Sequence, residues 1–153
     1  MTYNFSFSNH RGFTLIELLV VISIIGILIG LSIFGLQGAR EASRDAKRKA
    51  DLEEIRSGLE LYKSDCNGYP LTGNVPSGSS LVGPTGSITG CFGNTYINLV
   101  PSDPVTGRSY IYYSADGVTY QLCASLEQGT GSVTCGATST CGTGTCNYKV
   151  INP

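Results

Sequence analysis

Three kinds of residue in this chain could do chemistry, and they are unevenly placed: one acid inside an apolar run, six thiols and one imidazole. Glu17 is the only charged residue in the stretch Phe13–Leu36, FTLIELLVVISIIGILIGLSIFGL. A carboxylate deep in a bilayer costs about 2.5–3.5 kcal/mol and usually faces a partner. Two readings stay open from spacing alone: Glu17 lies one turn inside the run and snorkels to the headgroups, or it pairs with a cation. In a dry bundle two opposite charges within about 4–6 Å stabilise each other, and an unpaired one is costly. The thiols Cys66, Cys91, Cys123, Cys135, Cys141 and Cys146 all follow the apolar run. An even number on one side of a membrane anchor predicts disulfides in an oxidising compartment. A zinc site is the rival reading, disfavoured because no cysteine pair has the C-x2-C spacing and the only histidine, His10, precedes the run. No nucleophile–base pair, phosphate loop or metal cluster stands out, so no catalytic site and no cofactor are expected.

These groups must be positioned by two kinds of element. Leu18 to Leu36 carries no ionisable group, which at about 1.5 Å per residue spans the roughly 30 Å hydrocarbon core of a bilayer. The run is longer than the roughly 7–15-residue apolar region of a signal peptide, and no small-residue cleavage site follows it. Within it, Ser23, Gly26 and Gly30 share one helix face. Gly26-x-x-x-Gly30 would let helices approach closely, although glycine is also simply frequent in membrane helices.

The stretch RGFTLIELLVVISIIGILIG, from Arg11 to Gly30, closely resembles the N-terminal processing and methylation motif of type IV pilins and type II secretion pseudopilins. The resemblance couples a short polar leader, Gly12, Phe13, the fifth-position Glu17 and an uninterrupted apolar helix. It implies that a prepilin peptidase cuts after Gly12 on the cytoplasmic face. Phe13 then becomes an N-methylated N-terminus, and Glu17 neutralises the Phe13 amine of a neighbouring subunit during assembly. The family often has a proline part-way along the helix; here Phe34 stands in that place, and Gly30, Gly35 and Gly38 would have to supply any weak point.

The remaining chain reads as one small domain. Its 153 residues and net charge of −1 give no electrostatic reason to expect nucleic acid or anionic lipid as the main partner. From Gln37 to Asp65 the pattern becomes an amphipathic helix whose stripe is Ala39, Ala42, Ala46, Ala50, Ile55, Leu59 and Tyr62. The bases Arg40, Arg44, Lys47, Arg48 and Lys49 alternate with acids, which favours a solvated, charge-laced face over a DNA-binding one. Counted alone, these bases would put the C-terminal side in the cytoplasm; the cysteines and the leader motif argue for the opposite orientation. Asn67-Gly68 and Pro70 end the helix, and a Tyr-Pro ending also resembles pseudopilins. Leu71–Gly93 is then a Gly/Ser/Thr/Pro-rich loop that a Cys66–Cys91 bridge would clamp.

Tyr110–Ser114 and Val118–Leu126 flank Ala115-Asp116-Gly117, which predicts a tight hairpin. Val118, Tyr120, Leu122 and Ala124 should face the helix, with Cys123 on the opposite face toward Cys135, Cys141 or Cys146. Cys146–Ile151 would add a third strand. Asp103-Pro104, Gly107 and the following tyrosine run resemble a loop and strand of major pseudopilins, where this region can hold calcium. Asp103 and Asp116 are the only acids nearby, too few for the six to eight oxygens calcium takes.

The expectation is therefore an α+β, pilin-like chain: a long helix, membrane-spanning and then amphipathic, packed on a small antiparallel sheet and stapled by disulfides. Its parts are a leader (1–12), a membrane or filament-core helix (13–36), the amphipathic half (37–65) and a head (66–153), with a variable loop over 66–100 and a sheet over about 109–151. Its implied partners are copies of itself and other pilins, the prepilin peptidase, an inner-membrane assembly platform, and the membrane before assembly. Its implied location is the cytoplasmic membrane in a single pass, head outside, and then a periplasmic or extracellular filament. The alternatives are a monomeric, membrane-anchored surface binding module, or a minor pseudopilin of a secretion or DNA-uptake machine.

Overall fold

The computed structural model describes residues 12–73, 75–85 and 90–153, with the backbone alone at Phe34. The leader before Gly12, with His10 and Arg11, lies outside the described residues. A single helix, α1, runs over Leu15–Cys66 for 52 residues. The chain divides into two units, one ending at Ala39 and the other beginning at Arg40.

In the first unit the described large apolar side chains from Phe13 to Leu36 are all exposed, none less than 48 %. Among the described residues this is the one helix long and apolar enough to cross a membrane by length and composition. A helix that is apolar all round is normally enclosed by lipid or protein. The helical assignment is continuous past Gly30, Gly35 and Gly38.

The second unit packs the rest of α1 against a three-stranded antiparallel sheet of order β3-β4-β7, formed by Ile111–Tyr113, Gln121–Ala124 and Tyr148–Ile151. The register pairs Tyr112 with Leu122 and Leu122 with Val150. Two small ribbons accompany it: β1 (Leu81–Val82) with β2 (Thr95–Ile97), and β5 (Thr140–Cys141) with β6 (Gly144–Thr145). On the helix-facing side Tyr120, Leu122, Ala124 and Val150 join Leu52, Ile55, Leu59 and Tyr62 in the main core. On the other side Cys123, Cys135, Cys141 and Cys146 form a second core with Ile111, Tyr113 and Val133. Period-2 alternation thus sends Cys123 away from the helix, as its neighbours in the sequence require.

Four expectations need correction. The alanines Ala39, Ala42, Ala46 and Ala50 are exposed, while Asp45 and Arg48 are buried. The inward stripe runs Asp45, Arg48, Leu52, Ile55, Leu59, Tyr62 in steps of three and four, so its upper part is ionic rather than apolar. For the same reason the basic cluster is not a uniformly solvated face: Arg40, Lys47 and Lys49 are exposed, but the Arg48 side chain has no exposed surface. The turn between β3 and β4 is also not a tight hairpin, since Tyr113 pairs with Gln121. Its backbone is satisfied elsewhere. Ser114 O accepts from Thr72 N at 3.0 Å and Gly117 O accepts from Tyr69 N at 2.7 Å, while Asp116 Oδ1 accepts from the amides of Val118 and Thr119. The turn is therefore splayed onto the segment after the helix, and Val118, expected inside, is 66 % exposed.

That segment begins where α1 ends. Asn67 takes the left-handed conformation (φ 59°) that asparagine tolerates at a helix C-terminus. Three disulfides close the head: Cys66–Cys91, Cys123–Cys135 and Cys141–Cys146, with Cα–Cα distances of 5.3, 6.1 and 5.1 Å. The first closes a 25-residue separation around a stretch with few buried apolar side chains. In the chain-entropy picture it stabilises by about 3–4 kcal/mol. The double variant Cys66→Ser/Cys91→Ser should lose about that much in urea unfolding of the full chain in detergent. A midpoint unchanged from wild type would show that the loop does not depend on the bridge.

Candidate functional site

The N-terminus of α1 is built from residues that satisfy one another. The first helical amides lack intrahelical acceptors, and Thr14 caps them: its Oγ1 accepts from Glu17 N at 3.3 Å. Glu17 reaches back, and its Oε2 accepts from Thr14 N and from Thr14 Oγ1, each at 2.8 Å. This reciprocal pair is a capping box, and the positive end of the helix dipole favours the acid there. Sequence reasoning singled out Glu17 and missed Thr14. The signal was present, since a threonine three residues before a glutamate at the start of an apolar helix is the capping-box pattern.

Around this pair the surface is apolar. Phe13, Ile16, Val20 and Val21 border Glu17 in a shallow open depression, and Phe13 is 91 % exposed. Gly12 lies just before the helix, and a Cβ built on it would meet nothing within 4 Å. The same holds for Gly26 and Gly30 further along, so that face could accept a closely approaching backbone. The hydroxyls of Ser23 and Ser32 are satisfied internally, donating to Leu19 O and Leu28 O at 2.8 Å. The structure thus brings Gly12, Phe13 and Glu17 together at one helix end. Gly26 and Gly30 lie on the shaft, and the six cysteines belong to the head.

A second cluster lies in the head, around Arg48. Its Nε and Nη2 donate to Asp103 Oδ2 and Oδ1 at 2.8 and 3.0 Å, a bidentate pair. Its Nη1 donates to Asp45 Oδ1 at 2.7 Å and to Glu127 Oε1 at 2.9 Å. Arg44 donates to both oxygens of Glu127. Asp45 also accepts from the backbone amides of Glu127 and Gln128. One turn on, Tyr110 donates its hydroxyl to Asp51 at 2.7 Å. Burial and that neighbouring carboxylate push the Tyr110 phenol well above the usual tyrosine range, so it stays a donor. The hydrogen bonds from Arg44, against a smaller opposing effect of burial, hold Glu127 down to about 2.

Calcium, which the resemblance raises for this region, does not fit these residues. Both Asp103 oxygens are taken by Arg48, and Oδ1 also accepts from Val105 N. Asp116 spends Oδ1 on its own turn. Among the described residues no group of three or more histidine, cysteine or acidic side chains is free and placed to hold a metal ion: the cysteines are paired in disulfides and the acids around Arg48 are bonded to it.

Two sequence profiles match the chain. One is described as the prokaryotic N-terminal methylation motif, over residues 7–33; the other as type II secretion system protein G, over residues 36–134. A type II secretion system core protein G of Escherichia coli is 37 % identical over 103 residues, covering 66 % of this chain and 70 % of that protein. The protein of the same name from Pectobacterium carotovorum is 41 % identical over 71 residues, 46 % of either chain. A type IV wide pilus major component of Thermus thermophilus is 44 % identical over 61 residues, 40 % of this chain and 47 % of that one. For two of these three, then, the match spans less than half of the relative's length. No solved structure matches the chain.

The ionised Glu127 stabilises the fold in proportion to its displacement from the ordinary carboxylate value. Because the folded value is lowered, that contribution is complete above about 4.5 and drains away as pH falls toward about 2. Burial pushes the Asp45 carboxyl up, but the bonds from the Gln128 and Glu127 amides and from Arg48 together outweigh it and hold the group below the usual carboxylate range. Stability to urea should therefore fall steeply between about pH 5 and about pH 2, and the slope should be shallower in Glu127→Gln. Parallel slopes would exclude Glu127 as a contributor.

Proposed function

Because the chain belongs to the type II secretion system protein G family, we propose that it is the structural subunit of a pseudopilus or type IV pilus filament rather than an enzyme. One observation carries this reading: an apolar helix surface, exposed all round, that bears a single acid at its N-terminal end. Such a surface must be covered, by lipid before assembly and by the helices of other subunits afterwards. The methylation motif over residues 7–33 supports the processing steps. A prepilin peptidase cuts after Gly12, Phe13 becomes the N-methylated terminus, and an inner-membrane platform feeds the subunit into the filament. Glu17 then exchanges its bonds to Thr14 for the Phe13 ammonium of a neighbour, a charge-assisted contact that is stronger than a neutral one. Gly26 and Gly30 allow close helix contact along the shaft. The head stays on the outer side of the cytoplasmic membrane, where its cysteines are oxidised, and copies related by a non-closing contact extend the filament.

A second reading is a monomeric, membrane-anchored binding module, favoured by the fact that Glu17 already has a partner in its own chain. Two variants separate the readings. Under the filament reading, Gly12→Val leaves an uncut precursor, and Glu17→Ala is cut and methylated but absent from sheared filaments. Mass spectrometry of the N-terminus and blotting of the sheared fraction check both. If Glu17→Ala entered filaments as wild type does, or if wild type kept its leader, the filament reading would fall.

A further inference from the structure

The resemblance to pseudopilins raises calcium for this part of the head, and here the acids around Asp103 are already occupied by a side chain. We propose that the Arg48 guanidinium serves as the built-in structural cation of the head, so that the head folds, and the subunit assembles, without calcium. The assembly half rests on the filament reading above; the folding half does not.

The argument is an accounting of oxygens. Asp103 gives Oδ2 to Arg48 Nε, and Oδ1 to Arg48 Nη2 and Val105 N. Asp45 gives Oδ1 to Arg48 Nη1 and the Glu127 amide, and Oδ2 to the Gln128 amide. Glu127 gives Oε1 to both arginines and Oε2 to Arg44. The Arg108 guanidinium lies 3.9 Å from Glu127 Oε1, so three acids face three bases. Every carboxylate oxygen of this cluster already accepts a hydrogen bond, and three guanidinium charges balance the three acids, so an added divalent ion would have to displace an arginine. Beyond the cluster, Asp51 accepts from Tyr110, Glu60 from Tyr69 and Asp65 from Tyr96, and Asp116 closes its own turn. Calcium asks for six to eight oxygens converging on one point, and these acids are spent singly. The Arg48 side chain has no exposed surface, and neither does that of Asp103. It bonds α1 to the 103–105 loop and to the chain after β4, which is the cross-linking a bound ion would perform. Being covalently part of the helix, this cation cannot be removed by a chelator.

The test uses the full chain in detergent micelles, melted by circular dichroism in excess EDTA and in millimolar calcium chloride. A calcium site about a hundredfold oversaturated would raise the Tm of a domain this size by roughly 10 °C. The expected result is one Tm in both solutions; a rise with calcium overturns the proposal. Arg48→Met should melt well below wild type, and Arg48→Lys should recover only part of the loss, because an ammonium lacks the planar fork. Should Arg48→Met fail to fold, Asp103→Asn is the milder variant, expected to melt lower and still ignore calcium. A wild-type Tm in Arg48→Met, or in Asp103→Asn used in its place, overturns the clamp. Filament yield from cells grown with and without chelator reports on assembly. Loss only with chelator overturns the assembly half, whereas no filaments in either overturns the filament reading and leaves the melts to decide the clamp.

Discussion

A guanidinium with no contact with water must be surrounded by acids, and that requirement organises the head. Arg48 is fixed by its place on α1, so Asp103 and Glu127 have to be brought to it from distant parts of the sequence. Taking two charges out of water is expensive, and the return depends on geometry. Here the geometry is bidentate to Asp103, and the other acids have their remaining oxygens filled by backbone amides and Arg44. No described buried side-chain oxygen or nitrogen is left without a partner. The network sets where the helix sits against the sheet more narrowly than apolar packing would, because apolar contacts tolerate sliding and a forked ion pair does not.

The two units answer opposite demands. The second encloses its apolar residues in a main core and a cysteine core on either side of one sheet. The first encloses none of its described large apolar side chains, so its stability is deferred to whatever surrounds it. Lipid and a bundle of apolar helices are both fit to cover such a surface. Glu17 is the one charged group on that surface. In the isolated chain its partner is Thr14.

Much of this was legible because it is local. The unbroken apolar run, its lone acid, the Asn67 stop and the outward position of Cys123 depend on residues close in sequence. The ionic stripe was not. Asp45 and Arg48 continue the three-and-four spacing of Leu52, Ile55 and Leu59, but a charged type at a core position is discounted unless its partner is known, and Asp103 and Glu127 are far along the chain. The wide β3–β4 turn was missed for a similar reason: Asp116-Gly117 favours a tight turn, and only the approach of Tyr69 and Thr72 pulls it open. The β1–β2 ribbon escaped notice because Leu81–Val82 is too short to show alternation.

Cys66 is both the last residue of α1 and one end of a covalent bridge. Under mechanical load along the helix axis, the head is therefore held by more than interfaces that could shear. Tension arriving at the end of α1 passes through sulfur into the loop at Cys91, in parallel with the peptide chain leaving through Asn67. Where the helix hands over to the loop, two covalent paths rather than one would carry such a load.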